Sequence, residues 1–557
     1  MSLFLRFFLL LFISVVLPSN LAAQSKPLTR QAEAIFGYLA PDGYLSNDET
    51  LNLPELRTLY ETRAYRPVWN AQNPEHQPIF LAFMDYMKKL CAEHGLESQD
   101  KTIAFFKAMA LTDKKIDVVK LDIALTDWVL DIAYELNGQA IDFSSLYAGW
   151  KFKGGRENLA EDLGNAFYKG KIYNFLPTLA PNSVAYLHLA QALKLYRTMA
   201  EQSVWSTIEA GPILSLGAKD HRVKQVRVRL EAESYMMPLC QTEENEILFD
   251  KDLRQALISY QSRNGLKTDG NIGPETVATM NRSVTEKIDK LRANMSRLRA
   301  MPHTWPNQFA YVNIADASIK IFKEGTAIYH AQTVVGLPSR RTPFIQSAIH
   351  TLILNPTWRI PISIARYDIL PKLRKNPFHL QEKGFYIRGR KEDPYGLEIE
   401  WSHMKPRQFH YQLRQPPGEK NALGPIKFDF KNDFSVYLHG TPHQEDFVKE
   451  RRHLSSGCIR LKDPKQIAAV ILAGNQDSLT TKELQENITA REEIKIEVEK
   501  PLPIYVIYQT TFFPSADISA HFRRDVYGYD RRLLKALRKK QKDYISLFFK
   551  DISEEDS

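Results

Sequence analysis

Only three cysteines occur in the 557 residues, so at least one thiol has no intramolecular partner. The 14 histidines show no His-Glu-x-x-His or similar ligand spacing, which leaves a metal site without support. Beyond the N-terminus no apolar run is long enough to cross a bilayer, and no fingerprint of a nucleic-acid-binding fold is present. The last absence matters because the chain is basic, with 74 Lys and Arg against 65 Asp and Glu and a pI near 9.0. These residues are spread along the chain, so nucleic acid is set aside as a partner. A basic protein also suits a carboxylate-bearing polymer or an anionic membrane surface. What remains is an ordinary globular composition, 44% apolar and 25% charged, in a chain long enough for three or more domains.

Residues 1–23 read as a signal peptide. Arg6 precedes the apolar run Phe7–Leu17, and Pro18 and Leu21-Ala22-Ala23 supply a helix break and a cleavage site. The alternative is a retained anchor. In an exported protein Cys91 and Cys240 could be bridged or separately buried; if they pair, Cys458 is left free.

The expected fold class is a multidomain α+β protein. Residues 29–205 are mostly helical, with apolar residues three and four apart in Ile79–His94, Leu121–Leu136 and Val184–Met199; Trp69, Trp128 and Trp150 read as core. Residues 211–284 form a small three-helix unit with dense turn chemistry: Gly265 ends a helix, Asp269-Gly270 turns and Pro274 opens the next. A linking helix falls within 285–308. Over 309–510 the periodicity becomes two, predicting a β-rich sandwich with a hairpin turn at Lys323-Glu324-Gly325, a helix Pro464–Leu472 and strands Ile494–Val498 and Ile504–Tyr508. The strand pattern lapses at about 369–409, as expected of a lid or binding loop. Residues 511–557 are an extension containing Asp525-Val526-Tyr527-Gly528-Tyr529-Asp530 and the basic helix Arg531–Lys542. That helix reads as a solvated face, with peripheral membrane contact as the alternative.

The chemistry is concentrated in residues 434–461. Cys458 follows the small-residue turn Ser455-Ser456-Gly457, which can bring backbone N–H groups close to a substrate oxygen. His439 lies 19 residues upstream at the end of Val436-Tyr437-Leu438, which reads as a buried strand. An imidazole beside a thiol favours the thiolate by forming an ion pair, and the two suffice for acyl transfer without a cofactor.

This stretch resembles the active-site motif of the L,D-transpeptidases with a YkuD-type catalytic domain. The matching residues are His439-Gly440, then Ser455-Ser456-Gly457-Cys458-Ile459-Arg460, with Ser456 where many members have His. Arg340-Arg341-Thr342-Pro343-Phe344, Leu354–Pro361 and Arg414–Phe428 continue the likeness. Leu59–Trp69 and Tyr186–Arg197 resemble the helical scaffold domain of the large Gram-negative type, and 211–284 resembles a peptidoglycan-binding domain, with a spacer as the alternative. The resemblance implies a periplasmic enzyme that forms 3→3 cross-links between peptidoglycan stem peptides through a thioester on cysteine; the alternatives are an L,D-carboxypeptidase on the same stems and a wall-binding scaffold with an idle site. Cys458 is the implied nucleophile and His439 the base. Gly440 orients His439 through its carbonyl, and the N–H groups of Gly457 and Cys458 are the oxyanion donors. Tyr437, Trp358, Arg460 and Ser456 are the expected substrate-binding residues, with a donor tetrapeptide and an acceptor diamino acid as partners. Nothing in the sequence sets an oligomeric state.

Overall fold

The computed structural model describes residues 28–43, 45, 51–112, 116–202, 205–237, 243–473, 481–514 and 519–549. The stretch read as a signal peptide and Cys240 lie outside them; Cys91 is buried in the helix Gln77–Glu93. The chain divides into two compact units. One takes Gly155–Pro181 together with the chain before Ile141 and after Lys539, and the other takes Ile141–Gly154 and Asn182–Lys539.

The first unit is helical and organised around Val118–Leu136, which buries polar as well as apolar side chains. Burial of that kind requires partners for each carboxylate. Asp122 accepts from the Tyr60 hydroxyl at 2.6 Å and from the N–H groups of Val68 and Trp69. Asp127 accepts from Lys542 Nζ at 2.6 Å and from the Tyr544 hydroxyl at 2.8 Å.

In the second unit the helix Val184–Glu201 packs on the linking helix Val284–Arg299. Tyr186 accepts from Arg299 at 3.2 Å and Tyr196 donates to Glu233 at 3.0 Å. Those bonds explain why this helix groups here although it is continuous in sequence with the helical region before it. Lys287 reaches Glu233 inside a cage formed by the rings of Tyr196, Trp205, Tyr260 and Phe522, so a buried charge is both paired and faced by π-electrons. The small helical module comprises His221–Ala232, Lys251–Arg263 and Pro274–Met280, closed over Val226, Leu230, Leu257, Tyr260, Val277 and Met280. Asp220 and Asp250 cap the first two helices. Gly265, at φ 63°, ends the second, as the Leu266 N–H returns to the Gln261 carbonyl at 2.9 Å. Arg523 fastens the module to the β-rich domain, donating to the Arg263 carbonyl at 3.0 Å and to Asp316 at 2.6 Å.

The β-rich domain contains β1 (Gln308–Asn313), β2 (Ser318–Lys323), β3 (Thr326–Gly336), β4 (Ile345–Leu354), β5 (Trp358–Arg359), β6 (Tyr386–Ile387), β7 (Leu413–Gln415), β8 (Ile426–Phe430), β9 (Leu438–His439), β10 (His453–Ser455), β11 (Ile459–Leu461) and β12 (Ile494–Ile507). The β1–β2 pair and β3 are joined by the tight turn read from the sequence, with Glu324 and Gly325 both at positive φ. The main sheet runs β10-β3-β11-β9-β8-β4-β12-β1-β2, and β2 also pairs with β3. The layer read as a sandwich is therefore one sheet closed on itself. Closure follows from the length of β3: residues 326–332 pair with β2, Thr333 and Val334 with β11, and Val335 and Gly336 with β10. Val312, Ile319, Leu352, Phe428, Leu438, Ile459 and Ile504 are among the buried side chains. The two strands expected near the end are one, β12, whose register shifts between Glu497 and Leu502, where residues 498–501 stand opposite His350 alone.

Between β4 and β8 the chain leaves the sheet and forms a small body of its own. Strands β5, β7 and β6 make a three-stranded sheet, and Ile360, Ile369, Leu373, Leu380, Trp401, Phe409 and Leu413 form a separate apolar core. Trp401 is the largest side chain in it and donates its indole N–H to the Gly396 carbonyl at 2.8 Å. Trp401→Ala is expected to cost about 3–5 kcal/mol within this body. Hydrogen exchange should then show loss of protection confined to residues 360–413, with the closed sheet unchanged.

Candidate active site

Two short strands set the site. β9 and β11 are parallel neighbours, with Ile459 beside Leu438 and Arg460 beside His439. Period-two alternation buries Leu438, Ile459 and Leu461 and turns Tyr437, His439 and Arg460 to the opposite face. Cys458 precedes β11 at the level of Tyr437, as the Ile459 N–H bonded to the Tyr437 carbonyl at 3.2 Å shows. β8 is antiparallel to β9 and puts Lys427 beside His439. Lys427, Tyr437, His439, Cys458 and Arg460 thus lie on one patch of sheet.

The thiol is half-buried. Its Sγ faces the Ser435 carbonyl at 3.9 Å. Ser435 adopts φ 55° in a turn held by Asn432, whose Oδ1 accepts from the N–H groups of Phe434 and Val436. Tyr437 lies close enough to both Cys458 and Trp358 for each to influence its phenol, so three of the residues named from the sequence meet here. Burial drives the Tyr437 phenol far above its ordinary value and keeps it a donor.

His439 is buried, and its Nδ1 donates to the Gly440 carbonyl at 2.6 Å. This fixes the tautomer in which Nε2 carries the lone pair, as a general base requires. Gly440 packs tightly: a Cβ there would stand 2.9 Å from Pro425 and 3.2 Å from Pro464. Burial first, then the charge of Arg460, pushes the imidazole down to about 3, against the carbonyls of Gly440 and Leu423. Burial likewise raises the Cys458 thiol, while hydrogen bonds from Tyr437 and the charges of Lys427 and Arg460 pull it back. The resting pair is therefore neutral thiol and neutral imidazole rather than the ion pair expected from residue types. Desolvation penalises both charged forms at once.

The remaining named residues have defined partners. Gly457 holds φ 119°, a conformation reserved for glycine, but its N–H donates to Ser455 Oγ at 3.1 Å. The Cys458 N–H has no partner among the described residues, so of the two expected oxyanion donors it is the one left available. Ser456 Oγ accepts from Arg340 at 2.9 Å, and Arg340 also grips Asp368 of the inserted body at 2.5 and 2.6 Å. Arg460 pairs with Asp446 at 3.0 Å, tying down the loop between His439 and Cys458.

Sequence reading passed over Lys427, whose Nζ sits 4.5 Å from the centre of the Tyr437 ring and 2.8 Å from Asp429. The signal was available, since Lys427 and Asp429 alternate with buried Ile426, Phe428 and Phe430. Among the described residues no cluster of three or more His, Cys, Asp or Glu side chains is arranged to hold a metal.

A neutral resting pair has a pH signature. Alkylation of Cys458 by iodoacetamide should reach half its maximal rate above the ordinary thiol value of 9.0, and Lys427→Met should move that midpoint higher still. His439 also lowers stability in acid. Unfolded, it takes a proton near 6.5, whereas folded it resists protonation down to about 3. Its contribution is complete above 6.5 and is lost progressively as pH falls toward 3, which thermal melts between pH 7 and 4 will register.

Three family models match the chain: an L,D-transpeptidase catalytic domain over residues 307–481, a scaffold domain over 54–193, and a domain described as "Putative peptidoglycan binding domain" over 219–280. A curated protein of Haemophilus influenzae, "Putative L,D-transpeptidase", is 30% identical over 247 residues, 44% of this chain and 48% of that one. The chain thus spans about half the length of the curated relative it matches. Solved L,D-transpeptidases from Xylanimonas cellulosilytica and Stackebrandtia nassauensis align over 54% of this chain and 99% and 96% of theirs, at 10% and 12% identity and TM-scores of 0.16 and 0.20. Those scores are too low to bear on the fold. The family models, in contrast, cover β1 through β11, the small helical module and most of the helical region before it. By them the chain contains an L,D-transpeptidase catalytic domain of the YkuD type, a scaffold domain and a peptidoglycan-binding domain.

Proposed function

We propose that this protein is an exported, periplasmic enzyme that forms 3→3 cross-links between peptidoglycan stems through a thioester on Cys458. The observation that carries the reading is the juxtaposition at the β9–β11 edge of a half-buried thiol, an imidazole held in the base tautomer by Gly440, and the unpartnered Cys458 N–H. In the first half-reaction His439 Nε2 takes the thiol proton as sulfur attacks the carbonyl joining the third-position diamino acid of a tetrapeptide stem to its terminal D-Ala. The negative charge that develops on that oxygen is met by the Cys458 N–H and the Tyr437 hydroxyl; one well-placed donor is worth about 3–4 kcal/mol in such sites. The proton passes to the departing D-Ala amine. In the second half-reaction the side-chain amine of an acceptor diamino acid attacks the thioester, and sulfur leaves.

A neutral starting pair suits this chemistry. Proton transfer and attack are concerted with charge formation, so the desolvation that penalises a resting ion pair is met only where the oxyanion donors offset it. The inserted body is proposed to be the lid over the donor groove. Its root strand carries Trp358 beside Tyr437, and its Asp368 reaches the nucleophile turn through Arg340 and Ser456. A lid that excludes water favours the amine acceptor over hydrolysis.

The protein without its first 23 residues, and its Cys458→Ala variant, should be incubated with disaccharide-tetrapeptide and the products weighed by mass spectrometry. A dimer lacking one D-Ala, absent from the variant, is the expected result. Tripeptide alone would assign a carboxypeptidase, and unchanged substrate would leave a wall-binding scaffold with an idle site. Trp358→Ala is expected to raise the tripeptide share at the expense of dimer as water reaches the thioester.

A further inference from the structure

The C-terminal motif Asp525-Val526-Tyr527-Gly528-Tyr529-Asp530 lies beyond the residues matched by the catalytic family model, and nothing in the mechanism above uses it. Tyr527 is nevertheless buried, against Gly336 and Thr342. Its hydroxyl donates to the Gly336 carbonyl at 2.5 Å and accepts from the Thr342 N–H at 3.2 Å. Thr342, fully buried, accepts from the Gly336 N–H at 2.9 Å and donates through Oγ1 to the Gly457 carbonyl at 2.8 Å. A Cβ on Gly336 would stand 2.2 Å from the Arg340 carbonyl oxygen and 2.6 Å from the Thr342 nitrogen, so only glycine permits the approach.

The Gly457 carbonyl belongs to the peptide whose N–H is that of Cys458. A peptide is planar and trans, so its C=O and N–H point in opposite directions. Holding the carbonyl inward on Thr342 turns the Cys458 N–H outward, the direction an oxyanion donor must face. The other N–H of the turn is already engaged by Ser455 Oγ, which itself donates to the Cys458 carbonyl at 2.5 Å. We infer that Thr342 and Tyr527 are positioning residues that aim the Cys458 N–H, so the C-terminal segment completes the catalytic domain.

Tyr527 is suited to the task. Its ring stacks on Tyr508 at 5.4 Å and 17°, its N–H donates to the Tyr508 hydroxyl at 3.0 Å, and that hydroxyl donates to Asp525 at 2.9 Å. Asp525 also accepts from the N–H groups of Tyr529 and Asp530, where the following helix begins. Burial pushes the Tyr527 phenol up to about 12, so it remains a donor at any working pH.

This inference rests on Cys458 being an acyl-transfer nucleophile, and its test avoids the natural substrate. Two reagents attack the same sulfur with different demands. p-Nitrophenyl acetate transfers an acetyl group, forming a thioester with loss of p-nitrophenolate through an oxyanion; iodoacetamide alkylates by displacement of iodide and needs no oxyanion donor. Both rates are read by intact-mass spectrometry on the full-length protein for the wild type, Tyr527→Phe, Thr342→Val and Thr342→Ser. Acetylation is expected to fall about tenfold or more in Tyr527→Phe and Thr342→Val, while alkylation stays within about twofold and Thr342→Ser keeps both rates. Unchanged acetylation in the first two variants, or equal loss of both rates, overturns the inference. Failure of the wild type to process tetrapeptide would count against the proposed function alone.

Discussion

Parallel pairing of β9 with β11 is the constraint from which the site follows. Each strand is only two or three residues long, and neither could place a side chain accurately in isolation. Their register makes Arg460 the neighbour of His439 and brings Cys458 to the level of Tyr437. Flanking strands then hold the register, β8 on one side and β3 on the other. Because side chains alternate, a one-residue slip would turn His439 into the core and Leu438 into the groove. Closing the sheet through β3 removes the free edge at which such a slip would begin.

Burial decides the electrostatics of that patch. Four ionisable groups, His439, Cys458, Tyr437 and Arg460, all respond first to loss of water. Lys427 and Arg460 offset the penalty for the thiol but add to it for the imidazole. The result is a neutral thiol, phenol and imidazole at rest, with the cations Lys427 and Arg460 beside them. Such a site favours anionic transition states over anionic ground states.

Much of this could be read from the chain alone, and where reading stopped has a physical reason. The Lys323-Glu324-Gly325 turn, the cap at Gly265 and the helix Pro464–Leu472 were legible because each is decided by neighbours within four residues. The neighbouring placement of Cys458 and His439 was legible because a glycine turn and a strand end mark each locally. Closure of the sheet was not, since an alternating pattern says which face is buried and not which strand lies next. The Thr342–Gly457 bond joins residues 115 apart, and Thr342 alone looks like an unremarkable polar residue before a proline. The neutral state of the pair was illegible because residue type suggests an ion pair and only the surroundings reveal the missing water.

The grip of Arg523 and the caged Lys287 on the three-helix module gives the molecule a property that a flexible tether would deny it. Modules on loose linkers meet by diffusion, at an effective concentration set by linker length. Here the distance between module and thiol is written into the fold. The two domains are therefore held at one separation and one angle, as parts of a single compact unit.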